Sequence, residues 1–292
     1  MNKRPGSSLS LRYHQMLLNL VTYCWLRIGY MERTLRAKIF IDQFEPREDD
    51  ICIATYMRSG TTLLQMVVYQ LVTDGNMNFE HITNVSPMLE QAIRDDIDIS
   101  KFPSPRIFKT HAHYKDFPMR VNGRIIYGIR NGMDVASSMF HYFKDYNMPK
   151  LEWDDYFKKM FLRNSWFSHV KNWVENKKKF NICYIHYEDL TKNMRQTVEK
   201  IAAFLNVPLT EEKLQRVLER CSFEFMKRNE GKFGKLKAFR NLVDDKFIRK
   251  GESDKGQFEF SELQKNKFNR LYKKHLHRHK LGYDLSGMPL RK

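Results

Sequence analysis

Ile51-Cys-Ile-Ala-Thr-Tyr-Met-Arg-Ser-Gly-Thr-Thr-Leu-Leu-Gln-Met-Val-Val-Tyr69 passes from a β-branched apolar run, through Arg58-Ser59-Gly60-Thr61-Thr62, into an apolar series at helical spacing. That pattern predicts a strand, a tight loop and the start of a helix. The loop brings a flexible glycine, several hydroxyls, a cation and a run of backbone N–H groups. A helix N-terminus adds partial positive charge and unpaired donors, so the segment is suited to an anion, and a nucleotide phosphate is the expected one. It differs from the G-x-x-x-x-G-K-[ST] loop of triphosphate-binding proteins, where a lysine follows the glycine and a hydroxyl holds Mg²⁺. Here Thr61 follows Gly60 and the cation, Arg58, precedes it.

Two further segments carry matching chemistry. Arg124-Ile-Ile-Tyr-Gly-Ile-Arg130 reads as a buried strand ending in a cation, and Asn131-Gly-Met-Asp-Val-Ala-Ser-Ser-Met-Phe-His141 reads as a helix with Gly132 at its start. Ser138 falls eight residues after Arg130, about 12 Å along a helix, a gap that a long arginine side chain can close onto one anion. Downstream, Arg249-Lys250-Gly251 sets two adjacent cations before a glycine. Arginine offers a planar fork and lysine a mobile point charge, a pair suited to a dianionic phosphate.

Together these segments resemble the cytosolic sulfotransferase family. The family's first loop, Y-P-K-S-G-T-T-W, is matched by Tyr56-Met-Arg-Ser-Gly-Thr-Thr-Leu63. Its R-N-x-x-D-V-A-x-S segment is matched by Arg130-Asn-Gly-Met-Asp-Val-Ala-Ser-Ser138, and its K-T-H strand end by Lys109-Thr-His111. The Y-E-D and R-K-G elements are matched by Tyr187-Glu-Asp189 and Arg249-Lys-Gly251. These motifs stand in the family's order, from near Phe44 to Gly251.

The resemblance implies an α/β, P-loop-like three-layer fold, with a central parallel sheet flanked by helices on both faces. It implies an enzyme that moves the sulfuryl group of 3′-phosphoadenosine-5′-phosphosulfate (PAPS) to a hydroxyl. Arg58, Ser59, Gly60, Thr61 and Thr62 would cradle the 5′-phosphosulfate. Arg130, Ser138, Arg249, Lys250 and Gly251 would bind the 3′-phosphate. Leu63, Tyr187, Cys221 and Phe223 would line the adenine side. His111 would be the general base, with Lys109 and Arg58 beside the transferring group. Histidine, with an ordinary pKa of about 6.5, can take a proton near neutral pH. His113 is the rival base. No metal is expected, because Arg58, Lys109 and loop amides can balance the charge that builds during transfer.

The chain departs from the family in several places. Arg58 replaces the family's lysine, Leu63 its adenine-stacking tryptophan, and Cys221 a threonine. The usual glycine-aspartate-tryptophan after R-K-G is absent, as is the K-x-x-x-T-V-x-x-x-E dimer motif. Oligomeric state is therefore left open. The acceptor expected first is a small lipophilic alcohol, phenol or steroid, and a carbohydrate second. Phe140, Tyr142, Phe143 and Tyr146 stand either in the acceptor pocket or in the core. A nucleotide kinase, and a basic module binding nucleic acid or membrane surfaces, are the rival readings. The first would need the lysine and Mg²⁺ ligands that the loop lacks, and the second leaves five ordered motifs unexplained.

The 292 residues suffice for one large α/β domain, and no linker or repeat divides them. Four cysteines without C-x-x-C or metal spacing fit a reducing, cytoplasmic setting. The formal net charge of +17 favours anionic partners, and a nucleotide accounts for part of it. Residues 44–292 are assigned to the catalytic domain. Residues 1–43 are expected to form an amphipathic helical segment packed on it, with Tyr13, Met16, Leu17, Leu20, Cys24, Ile28, Met31 and Leu35 on one stripe. Weak contact of that helix with a membrane surface is the alternative. Trp153 to Lys179 is expected to be one long helical region, and Asn181–Tyr187 a strand.

Overall fold

The computed structural model describes residues 44–276, apart from 74, 95–96, 118–122, 147, 163–165, 177–179, 235–246 and 249–255. It also describes Tyr13, His14, Met16, Leu17, Leu20, Val21, Ile28, Met31 and Leu35.

Among the described residues, four strands form a parallel sheet in the order β2-β1-β3-β4: β1 Ile51–Thr55, β2 Ile107–Thr110, β3 Arg124–Ile129 and β4 Asn181–His186. Each is short and rich in β-branched or aromatic residues, as expected of strands covered on both faces. The register sets Ala54 beside Thr110, Thr55 beside Gly128, and Ile129 beside His186. Alternate residues feed two separate cores. Ile51, Ile53, Ile126 and Ile185 pack with the apolar faces of α1 (Thr61–Val72), α6 (Met194–Leu205) and α7 (Glu211–Arg220). Cys52, Ala54, Tyr127 and Tyr184 face the other way, against α3 (Gly132–Tyr146), α4 (Trp166–Glu175) and α9 (Glu262–His275). The predicted α/β architecture, a parallel sheet between two helical layers, is what the molecule has.

Helix boundaries follow local chemistry. Thr210 caps α7 by accepting the Lys213 N–H, Ser222 caps the short α8 (Phe223–Arg228) by accepting the Phe225 N–H, and Ser261 closes a capping box with Gln264 at the start of α9. Asn131 accepts the N–H groups of Met133 and Asp134 at the start of α3. Gly132 must be a glycine there, because a Cβ would lie 2.6 Å from Phe268 and 2.7 Å from Trp166.

Two expected boundaries shift. The long helix from Trp153 is interrupted: one turn (Trp153–Asp155) widens into a π-helix over Tyr156–Phe161 before α4 begins at Trp166. The wider turn carries Tyr156 and Phe161, five residues apart, into ring contact at 6.3 Å with both side chains buried. β4 ends at His186, and Tyr187 opens α5 (Tyr187–Lys192) instead of closing the strand. Glu188 and Asp189 lie in that first turn, where negative charge favours a helix start.

Candidate active site

Every strand hands on a site segment at its carboxyl end, the edge where parallel sheets carry their ligands. β1 runs into the Tyr56–Gly60 loop, β2 into His111, β3 into Arg130 and β4 into Tyr187. Arg58, Gly60, Thr61, Thr62, Leu63, Lys109, His111, Arg130, Ser138, Tyr187, Cys221 and Phe223 all line one cavity of about 640 Å³. Ser59 is buried beside it, and its hydroxyl has no hydrogen-bond partner among the described residues. Arg249, Lys250 and Gly251 lie outside the described residues. Phe247 and Ile248, just before them, reach the same cavity.

The first loop is shaped for close approach. Arg58 and Gly60 both adopt left-handed backbone, at φ 63° and 85°. Such φ is costly for a residue with a Cβ and easy for glycine. A Cβ on Gly60 would also lie 2.5 Å from the Tyr187 ring. Gly60 caps α1 without a side-chain hydrogen bond, which leaves the first-turn N–H groups to the loop. Together with the buried Ser59 hydroxyl, these donors suit a bound phosphate or sulfate group. Gly60→Ala is expected to lower nucleotide affinity by about tenfold, since left-handed backbone alone costs roughly 1–2 kcal/mol. Titration calorimetry with adenosine 3′,5′-bisphosphate checks this; unchanged affinity would mean that the loop does not hold the ligand in this conformation.

His111 is fixed by its strand neighbour. Its Nδ1 lies 2.9 Å from the Thr55 carbonyl oxygen, which can only accept, so Nδ1 carries the proton and Nε2 keeps its lone pair. The Thr55 hydroxyl stands 3.3 Å from the same nitrogen and 2.6 Å from the Thr61 hydroxyl. The ring opens to the cavity on one side and is crowded by protein elsewhere. That desolvation, with a smaller push from Lys109 and against the Thr55 bond, pulls its pKa down to about 4. The imidazole is therefore neutral at pH 7. Lys109 is also drawn down by burial, opposed by the nearby Glu90 carboxylate. His113 sits apart from this wall, its ring 5.1 Å from that of His169, which is itself buried and bonded to the Tyr127 hydroxyl at 2.9 Å.

Cations and rings are layered around the cavity. The Arg130 guanidinium lies 4.3 Å from the Tyr187 ring centre and donates to the Arg58 carbonyl at 3.0 Å. Arg58 Nε donates to the Ser138 hydroxyl at 3.1 Å, and its guanidinium stands near the rings of Tyr142 and Phe247. Two groups assigned to opposite ends of a nucleotide are thus bonded to each other here. Phe140 belongs to the core, whereas Tyr142 and Phe143 line the cavity. The side chain of Tyr146 lies outside the described residues.

Sequence reasoning missed Glu90. Its carboxylate accepts the Thr110 hydroxyl and, at 3.1 Å, the backbone N–H of His111, so it holds the turn that presents the histidine. The other carboxylate oxygen is buried and has no hydrogen-bond partner among the described residues. Met57, His81, Thr83 and Met139, which also line the cavity, carry no motif signal.

A family model described as a sulfotransferase domain matches residues 48–280. Sulfotransferase 1B1 of Canis lupus familiaris is 34% identical over 260 residues, which cover 81% of this chain and 86% of that protein. Human sulfotransferase 2A1 is 30% identical, covering 84% of this chain and 90% of that protein. Among solved structures, mouse sulfotransferase SULT7A1 in complex with PAP matches at TM-score 0.67 and 27% identity, over 83% of this chain and 90% of that one. Retinol dehydratase in a complex with retinol and PAP matches at TM-score 0.70 and 25% identity, over 84% and 86% of the two chains.

Proposed function

The chain belongs to the sulfotransferase family and is a PAPS-dependent sulfotransferase; we propose that it sulfates a hydroxyl of a small lipophilic acceptor, with His111 as general base and without a metal ion. The observation that carries this reading is the convergence of the Arg58–Thr62 loop, Lys109, His111 and Arg130 on one cavity at the sheet's carboxyl edge.

The proton inventory is simple. His111 Nε2 takes the acceptor hydroxyl's proton as its oxygen bonds to sulfur. The sulfur–oxygen bond to the nucleotide breaks, and adenosine 3′,5′-bisphosphate (PAP) leaves with that bonding pair. The Thr55 carbonyl already accepts from Nδ1–H and so stabilises the imidazolium that forms. Arg58, Lys109 and the N–H groups at the start of α1 stabilise charge on the departing oxygen, as preorganised donors do in phosphoryl transfer. Arg130 and Ser138 take the 3′-phosphate, with Arg249, Lys250 and Gly251 as its further partners. Leu63, Tyr187, Cys221 and Phe223 flank the adenine.

A lipophilic acceptor is supported by Met57, Met139, Tyr142 and Phe143 on the cavity wall, and by the retinol bound to the similar retinol dehydratase. An acceptor screen with labelled PAPS tests it. Turnover with simple phenols, sterols or long-chain alcohols is expected, and preference for a sugar hydroxyl would overturn the lipophilic assignment. We place the reaction in the reducing cytoplasm, in keeping with Cys52, Cys183 and Cys221 as buried free thiols. Sulfuryl transfer should persist in excess chelator after bound metal has been removed, because the donor sulfuryl group carries less charge than a terminal phosphoryl group. Activity lost to chelation and restored by Mg²⁺ would contradict this charge balance.

A further inference from the structure

The described residues of the N-terminal segment present their apolar side to solvent. Tyr13, Met16, Leu20, Ile28, Met31 and Leu35 are all helical and each is between 55 and 65% exposed. In the sequence, a period of about 3.6 residues assigns these six positions, at steps of three, four, eight, three and four, to one stripe. Of the thirteen large apolar side chains exposed among the described residues, eight lie between positions 13 and 35, and the other five are scattered singly. Single exposed apolar residues are ordinary, but a row of them marks a surface that meets something apolar.

Charge selects the occupant. Residues 1–43 contain seven lysines and arginines against Glu32 and Asp42, and the whole chain carries +17. A second copy would bring the same sign to the contact and be repelled, whereas an anionic surface attracts it. Arg27, Glu32, Arg33 and Arg36 interrupt the segment, and among the described residues no helix is long and apolar enough to cross a membrane. An apolar stripe with a cationic remainder, and with Trp25, Tyr23 and Tyr30 in the same stretch, is the composition of a helix that lies in the bilayer interface.

We propose that the N-terminal helical segment docks this enzyme on an anionic lipid bilayer through the Tyr13–Leu35 stripe. The proposal stands independently of which residue acts as base in the catalytic cavity. It is tested by co-sedimentation of the full-length protein with vesicles of phosphatidylcholine, with and without phosphatidylglycerol, at low and high salt. Binding is expected to the anionic vesicles, to fall with salt, and to drop by about tenfold or more in Met16→Gln/Leu20→Gln/Met31→Gln. Arg33→Gln/Arg36→Gln should weaken binding to anionic vesicles while leaving the weak binding to neutral ones. PAP affinity, measured in parallel, should stay at the wild-type value in both variants, which shows that they remain folded. Equal binding to neutral and anionic vesicles, or undiminished binding of the triple variant, would overturn the proposal. So would self-association of the lipid-free protein that the triple variant abolishes, because the stripe would then belong to a second copy.

Discussion

His111→Ala is expected to lower kcat by about 10² to 10⁴, the usual cost of removing a general base, while PAP binds as in the wild type. Thr55 and Glu90 hold the ring and its backbone in place, so truncation removes the base and leaves the cradle of Ser59 to Thr62 untouched. His113→Ala, the control, should keep most of the activity, since its ring packs toward His169. A His111→Ala variant that retains more than about a tenth of wild-type turnover at saturating acceptor would sink the assignment.

The pH profile gives an independent reading of the same residue. In the free protein, burial holds the His111 pKa near 4, so the ring can accept a proton throughout the neutral range. Binding an anionic donor beside it favours the protonated form and moves the pKa upward. The acid limb of kcat, which reports the loaded complex, should therefore lie at higher pH than that of kcat/KM for PAPS, which reports the free enzyme. The same depression bears on stability. Because the folded pKa lies below the unfolded value, the contribution from neutral His111 is complete above about pH 6.5 and is lost as pH falls toward 4. His169, pulled down to about 3 by burial, acts in the same direction. His111→Gln should accordingly be less sensitive to acid unfolding, even though it is inactive.

What could be read from the sequence was local. The apolar run before Arg58 announced a strand, and the spacing after Gly60 announced a helix. The contacts that organise the cavity are not local. Thr55 meets His111 across 56 positions only because β1 and β2 run parallel in the register that sets Ala54 beside Thr110. Glu90 reaches the His111 N–H from a short helix, α2 (Leu89–Arg94), whose sequence carries no catalytic signature. The π-turn at Tyr156 was hidden for another reason: a run of aromatics satisfies α and π spacing alike until the facing rings are known. The N-terminal stripe was legible as amphipathic, but periodicity cannot say whether an apolar face meets the core or something outside it.

Arg130→Ala is expected to weaken PAP by about tenfold to a hundredfold and adenosine 5′-phosphate far less, because a hydrogen bond to a charged group contributes roughly 1.5–3 kcal/mol. The guanidinium is held at the end of β3 between the Tyr187 ring and the Arg58 carbonyl, so its fork is oriented before a ligand arrives. Losing it also frees the Arg58 carbonyl and loosens the first loop, a change that should affect both nucleotides alike. The difference between the two losses therefore isolates the 3′-phosphate. Arg130→Lys sharpens the test: lysine keeps the charge but lacks the planar fork, so it should recover part of the PAP affinity and little of the discrimination. Calorimetry with both nucleotides on all three proteins reads the outcome. Equal losses for PAP and adenosine 5′-phosphate would mean that Arg130 braces the loop without contacting the 3′-phosphate, and that recognition falls to Arg249 and Lys250.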